Sequence, residues 1–103
     1  MVQEVIRKLQ ALGPLPPSHS ADPDALDAYV DLMQTIARPV SDDEARILVT
    51  LFGVDDCFGV FWIFIHAIET APGWPLRDCL KDRISYGVEI LKQRCRNSGY
   101  TDI

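Results

Sequence analysis

His66 and Glu69 stand three residues apart, Asp55, Asp56 and Cys57 are consecutive, and eight aspartates fall between positions 22 and 56. Residues three apart share one face of a helix, so His66 and Glu69 have the reach of a general acid–base pair. The same spacing describes a buried imidazole satisfied by a neighbouring carboxylate, and that blander arrangement carries more weight. Asp55, Asp56 and His66 supply too few ligands for a zinc or magnesium centre. Cys57 follows a predicted helix start, a position that favours a thiolate, but the adjacent carboxylates oppose it. No H-E-x-x-H, G-x-S-x-G, P-loop or G-x-G-x-x-G motif is present. No catalytic residue, cofactor or metal is therefore expected, and the chemistry left to the chain is recognition.

The charge distribution says what kind. Positions 18–56 hold nine acids against Arg38 and Arg46, a local charge of −7, within a chain whose net charge is −5. Positions 76–103 are mildly basic, with six bases and four acids. An acidic chain of pI near 4.8 is a poor match for nucleic acid as its main ligand. Acids at helix starts cap free N–H groups and complement the dipole, which accounts for Asp22, Asp24, Asp42, Asp43, Glu44, Asp55 and Asp56. It does not account for Asp27 and Asp31, which share the outer face of the second helix with Asp24 at i, i+3 and i+7. The expected contact surface is thus Asp24, Asp27, Asp31, Asp42, Asp43, Asp55 and Asp56, a negative patch that steers and selects a basic partner. Trp74, between Gly73 and Pro75, is either a lid over helix ends or an aromatic anchor for that partner.

Elements of regular spacing must hold these residues. The 103 residues are 48% hydrophobic and 24% charged, which fits one globular domain over 1–103. Val2, Val5, Ile6, Leu9 and Leu12 predict a first helix, ended by Gly13 and the prolines at 14, 16 and 17. A linker over 13–21, with His19 exposed, leads to Asp22-Pro23-Asp24, a helix start. That second helix buries Leu26, Tyr29, Val30 and Met33 and is expected to end at Arg38-Pro39. Ser41-Asp42-Asp43-Glu44 is a capping box opening a third helix through Phe52, closed by Gly53. A fourth, capped by Asp55 or Asp56 and running to about Thr70, carries Phe58, Val60, Phe61, Trp62, Ile63, Phe64, Ile65 and Ile68. Apolar residues in almost every direction predict burial on most sides, Trp62 included. Leu76, Leu80, Ile84, Val88, Leu91 and Cys95 make one stripe over 76–97, with a break or kink expected near Ser85-Tyr86-Gly87. The fold expected is all-α, a compact bundle of five to six helices about the fourth, with stacked antiparallel pairs as one arrangement.

Cys57, Cys79 and Cys95 are odd in number and lack CxxC spacing, which fits buried reduced thiols and a cytoplasmic location. The longest apolar run, 58–65, is far short of the about 20 residues that span a bilayer, so no membrane association is expected.

The stretch Leu51-Phe52-Gly53-Val54-Asp55-Asp56-Cys57-Phe58-Gly59, continued by Trp62 and His66-Ala67-Ile68-Glu69-Thr70-Ala71-Pro72, resembles segments of small helical bacterial immunity proteins of polymorphic toxin systems. The resemblance covers about a quarter of the chain. It implies a protein that binds and neutralises a cognate toxin domain made by the same cell, and it transfers no binding residue. A helical adaptor or homo-oligomerisation module using an apolar surface is the alternative, and an enzyme built on His66 and Glu69 is the third reading.

Overall fold

The computed structural model describes residues 2–55, 57–81, 85–100 and 103. Every described element is helical, as the spacing predicts: α1 (Glu4–Leu12), a 3-10 turn (Ser18–Ser20), α2 (Pro23–Met33), α3 (Asp42–Val49), α4 (Phe61–Ile68), α5 (Arg77–Lys81) and α6 (Tyr86–Asn97). The caps are local and legible. The Gly13 amide donates to the carbonyls of Leu9 and Gln10, and its φ of 87° turns the chain away and stops α1. The Asp22 carboxylate accepts the Asp24 amide at 3.1 Å, and the Ser85 hydroxyl accepts the Val88 amide at 3.2 Å. At α3 the capping box is complete: Ser41 Oγ accepts the Glu44 amide, and Glu44 Oε1 accepts the Ser41 amide at 2.8 Å.

α1 packs on both α2 and α3, α3 on α4, and α6 on both α4 and α5. The radius of gyration, 13.1 Å, is that of a close-packed domain of this length. Ile6 and Leu9 of α1, Met33 of α2, Leu48 of α3, and Phe64, Ile65 and Ile68 of α4 meet Leu80, Val88 and Leu91 in the centre. Enclosing each such side chain contributes roughly 1.5–3 kcal/mol. Phe52 sets its ring edge-on to Phe61 and Phe64, with centroids 6.2 and 6.4 Å apart. That ring lies against Gly87, where a Cβ would fall inside it, so glycine in the first turn of α6 is a packing requirement.

Four expectations need correction. α2 ends at Met33, not Arg38, because Gln3 takes the backbone of Ala37: Gln3 Oε1 accepts its amide at 2.8 Å and Gln3 Nε2 donates to its carbonyl at 3.0 Å. α3 stops at Val49, and the Thr50 hydroxyl donates to the Ile47 carbonyl at its end. α4 begins at Phe61 rather than at Asp55 or Asp56, since Cys57, Phe58 and Gly59 take φ of 46°, 60° and 84°, values no right-handed helix accommodates. The helix is enclosed on most sides, as expected, but not at Trp62. Phe61, Phe64, Ile65, Ala67 and Ile68 are buried, while Trp62 and His66, one turn apart, are exposed. The break expected near Ser85-Tyr86-Gly87 is present: Ser85 is in extended backbone before α6, so the stripe is shared between α5 and α6. Leu76, Leu80, Val88, Leu91 and Cys95 are nonetheless all buried, and Ile84 lies outside the described residues.

Candidate functional site

The aspartates of the expected patch divide by what their carboxylates do. Asp42 Oδ1 accepts the Gly73 amide at 2.8 Å and so ties the start of α3 to the connector before α5. Asp43 pairs with Arg46 at 3.2 Å, and Arg46 also reaches Asp78 of α5 at 3.2 Å. Asp55 accepts the Ser18 amide, the Ser18 hydroxyl at 2.6 Å and the Cys57 amide at 2.8 Å. The Ser18 hydroxyl, then the Cys57 and Ser18 amides, hold its carboxyl below the ordinary aspartate value. Asp56 lies outside the described residues.

Asp24, Asp27 and Asp31 differ. All three are exposed along α2, and among the described residues none of their carboxylates has a side-chain ion pair or hydrogen bond. No basic residue occurs between Ala21 and Ala37 to neutralise them. α2 packs on α1, whereas the α3 acids look toward α5 and Gly73, so α2 carries its own stripe.

Glu44, which capping alone explains in the sequence, holds the most enclosed charge among the described residues, at 3% exposure. Besides the Ser41 amide, it accepts the Gln3 amide at 2.8 Å. Burial pushes its carboxyl up, but the hydrogen bonds from Ser41 and Gln3 outweigh this and hold it below the ordinary glutamate value. It fastens the start of α1 to the start of α3.

His66 and Glu69 do not form the pair their spacing allows. Both Glu69 oxygens accept from Arg94 of α6, at 2.7 and 2.8 Å, the two-point geometry of guanidinium and carboxylate. His66 is exposed, its ring 6.0 Å from that of Trp62. Trp74 is half-buried beside Glu69, Arg94, Cys95, Ser98 and Tyr100, a groove whose walls include none of the aspartates. No group of three or more His, Cys, Asp or Glu among the described residues can hold a metal ion, and no helix there is long and apolar enough to cross a membrane.

Sequence reasoning missed the apolar surface. Val54 is 72% exposed, Phe58 70%, Tyr86 43% and Trp62 37%. Val54 and Tyr86 border one groove with Pro14, Leu15, Phe52, Gly53 and Ser85, about 490 Å³ in volume. The Phe61 ring lies 5.3 Å from that of Tyr86 and 4.9 Å from that of Trp62. Arg94 sits 5.7 Å over the outer Trp62 ring. The one signal in the sequence was Asp55 and Gly59 flanking Phe58, a turn-forming pair that a helix reading passes over. No protein-family model matches the chain, and neither the curated proteins nor the solved structures contain a match.

Proposed function

We propose that this chain is a binding protein of the immunity type, which neutralises a cognate bacterial toxin domain by covering a basic surface of it. One observation carries the reading: the α2 carboxylates of Asp24, Asp27 and Asp31 are exposed and have no ion-pair partner among the described residues, while Asp42, Asp43 and Asp55 serve the fold. Three like charges on one helix face destabilise it slightly, so their grouping suits an external cation better than an internal role. Such a stripe raises the encounter rate with a basic partner and selects against acidic ones. The commitment of Glu69 to Arg94 supports binding over acid–base chemistry at His66. Asp24, Asp27 and Asp31 make the charged contacts, and the resemblance over 51–72 supplies the toxin as partner.

The test begins at the neighbouring gene. Co-expression with an adjacent toxin domain restores growth if the reading holds, and Asp27→Lys with Asp31→Lys weakens the complex by about tenfold or more. Unrelieved toxicity, or full protection and unchanged affinity in the double variant, overturns it.

A further inference from the structure

The mildly basic end of the chain has no part in the binding reading, yet its cations converge. Arg77 and Lys81 stand one turn apart on α5, and Lys92 stands on α6, which packs against it. With Leu80 and Ile103, these three side chains line one cavity of about 220 Å³. Like charges one turn apart repel, and a third cation in the same cavity adds to the repulsion unless an anion joins them.

The fold supplies little of that anion to the lysines. Asp78, the acid of α5, gives its carboxylate to Arg46 of α3 at 3.2 Å. Lys81 is exposed, and its ammonium has no ion pair or hydrogen bond among the described residues. Lys92 keeps only 19% of its side chain exposed, an enclosed position for a lysine, yet the carboxylate it pairs with, Glu89, is 3.4 Å away. Firm contacts between a nitrogen cation and a carboxylate close to about 2.7–2.9 Å. Arg94, on the same helix, reaches Glu69 at 2.7 Å. Arg77 is held over the Tyr100 ring, 5.6 Å from its centroid. Arg96, rather than either lysine, binds the Ile103 carbonyl at 2.9 Å.

We infer that the cavity between α5 and α6 binds the phosphate group of a small organic phosphate. The ammonium groups of Lys81 and Lys92 donate to its oxygens, and Arg77 adds its charge beside them. A phosphate monoester carries about −1.5 to −2 at neutral pH and three acceptor oxygens, enough for two lysines, whereas a carboxylate brings a single charge. Leu80 and Ile103 give the carbon portion of the ligand an apolar wall. Drug-sized sites enclose roughly 300–1,000 Å³, so the smaller cavity here keeps that portion short. Nucleic acid fits less well, because its backbone needs a basic surface and this is one cavity in a chain of net charge −5. The site uses α5 and α6 and none of the α2 acids, so it stands or falls apart from the immunity reading.

The probe is glycerol phosphate, titrated into the whole protein and followed by amide NMR, with glycerol, acetate and chloride as controls at matched ionic strength. Saturable shifts at Leu80, Lys81 and Lys92, with affinity at least about tenfold above that for acetate, support the site. Lys81→Gln removes an exposed ammonium that holds nothing else in place, so the variant stays folded, and it should weaken binding by about fivefold or more. Adding Lys92→Gln should abolish binding, while Lys8→Gln on α1 should leave it unchanged. The same shifts with glycerol, acetate or chloride overturn the phosphate ligand. Undiminished glycerol phosphate binding in both lysine variants overturns the site. Two further arms separate other sources of a phosphate group. Capture by phosphatidylcholine vesicles containing phosphatidic acid, with no shift from glycerol phosphate, overturns the soluble ligand in favour of a lipid headgroup. A duplex oligonucleotide that binds through Lys81 and Lys92 more tightly than glycerol phosphate overturns it in favour of nucleic acid.

Discussion

Both α2 and α3 open with acids, yet the two helices use them in opposite ways. In α3, Asp42, Asp43 and Glu44 all have partners, and Glu44 is enclosed by the amides of Gln3 and Ser41. In α2, Asp22 caps the helix and Asp24, Asp27 and Asp31 face outward without a partner among the described residues. Composition alone treats the runs as one patch. The structure separates a group of acids that assembles the domain from a group available to something outside it.

The sharpest way to break that contrast is at Glu44. Glu44→Ala strands the partly buried Gln3 and Ser41 amides, each losing its acceptor at about 1–2 kcal/mol, so a loss of roughly 2–4 kcal/mol is expected in denaturant unfolding. Pushing the interior from the apolar side, Gly87→Ala drives a Cβ into the Phe52 ring and should cost about 1–3 kcal/mol, despite alanine's better helix propensity. A smaller effect, roughly 0.5–1.5 kcal/mol, is expected from Asp42→Ala, which removes the acceptor of the Gly73 amide. Charge reversal at Asp27 and Asp31 should shift stability by no more than about 0.5 kcal/mol while abolishing the salt dependence of partner binding. A stability loss as large as that of Glu44→Ala would erase the distinction between the two helices.

Acid sharpens it further. The Glu44 carboxyl is held below its unfolded value, so its stabilisation is complete above the unfolded pKa of about 4.3 and disappears as pH falls through the lower folded value. The stability gap between wild type and Glu44→Gln should be widest near neutrality, begin to narrow as pH falls through the unfolded value and close only below the lower folded one. A gap independent of pH would mean that the ionised carboxylate contributes nothing there.

What could be read from the chain was what neighbours in sequence decide. The helix starts at Asp22 and Ser41, the stop at Gly13, the stripe from Leu76 to Cys95 and the all-helical class follow from spacing and capping within a few residues. What eluded it was set by distant partners or by backbone geometry. Gln3 shortens α2 from 34 residues away, and Arg94 takes Glu69 from 25. Phe58 and Trp62 look like core residues to any periodicity argument, because nothing in their side chains announces that the turn before α4 is left-handed. The exposed Asp24, Asp27 and Asp31 stripe was legible from spacing. Its separation from Asp42, Asp43 and Asp55 was not, because that depended on which amides and guanidinium groups folding delivers.

Gln3 also has a practical consequence. Three of its groups are engaged at once: its amide by Glu44, and its side-chain oxygen and nitrogen by Ala37. A version shortened to start at Glu4 keeps every helix yet loses the latch between the chain's opening and two segments more than thirty positions downstream. Cleavage between Gln3 and Glu4 therefore loosens the junction of the second and third helices first.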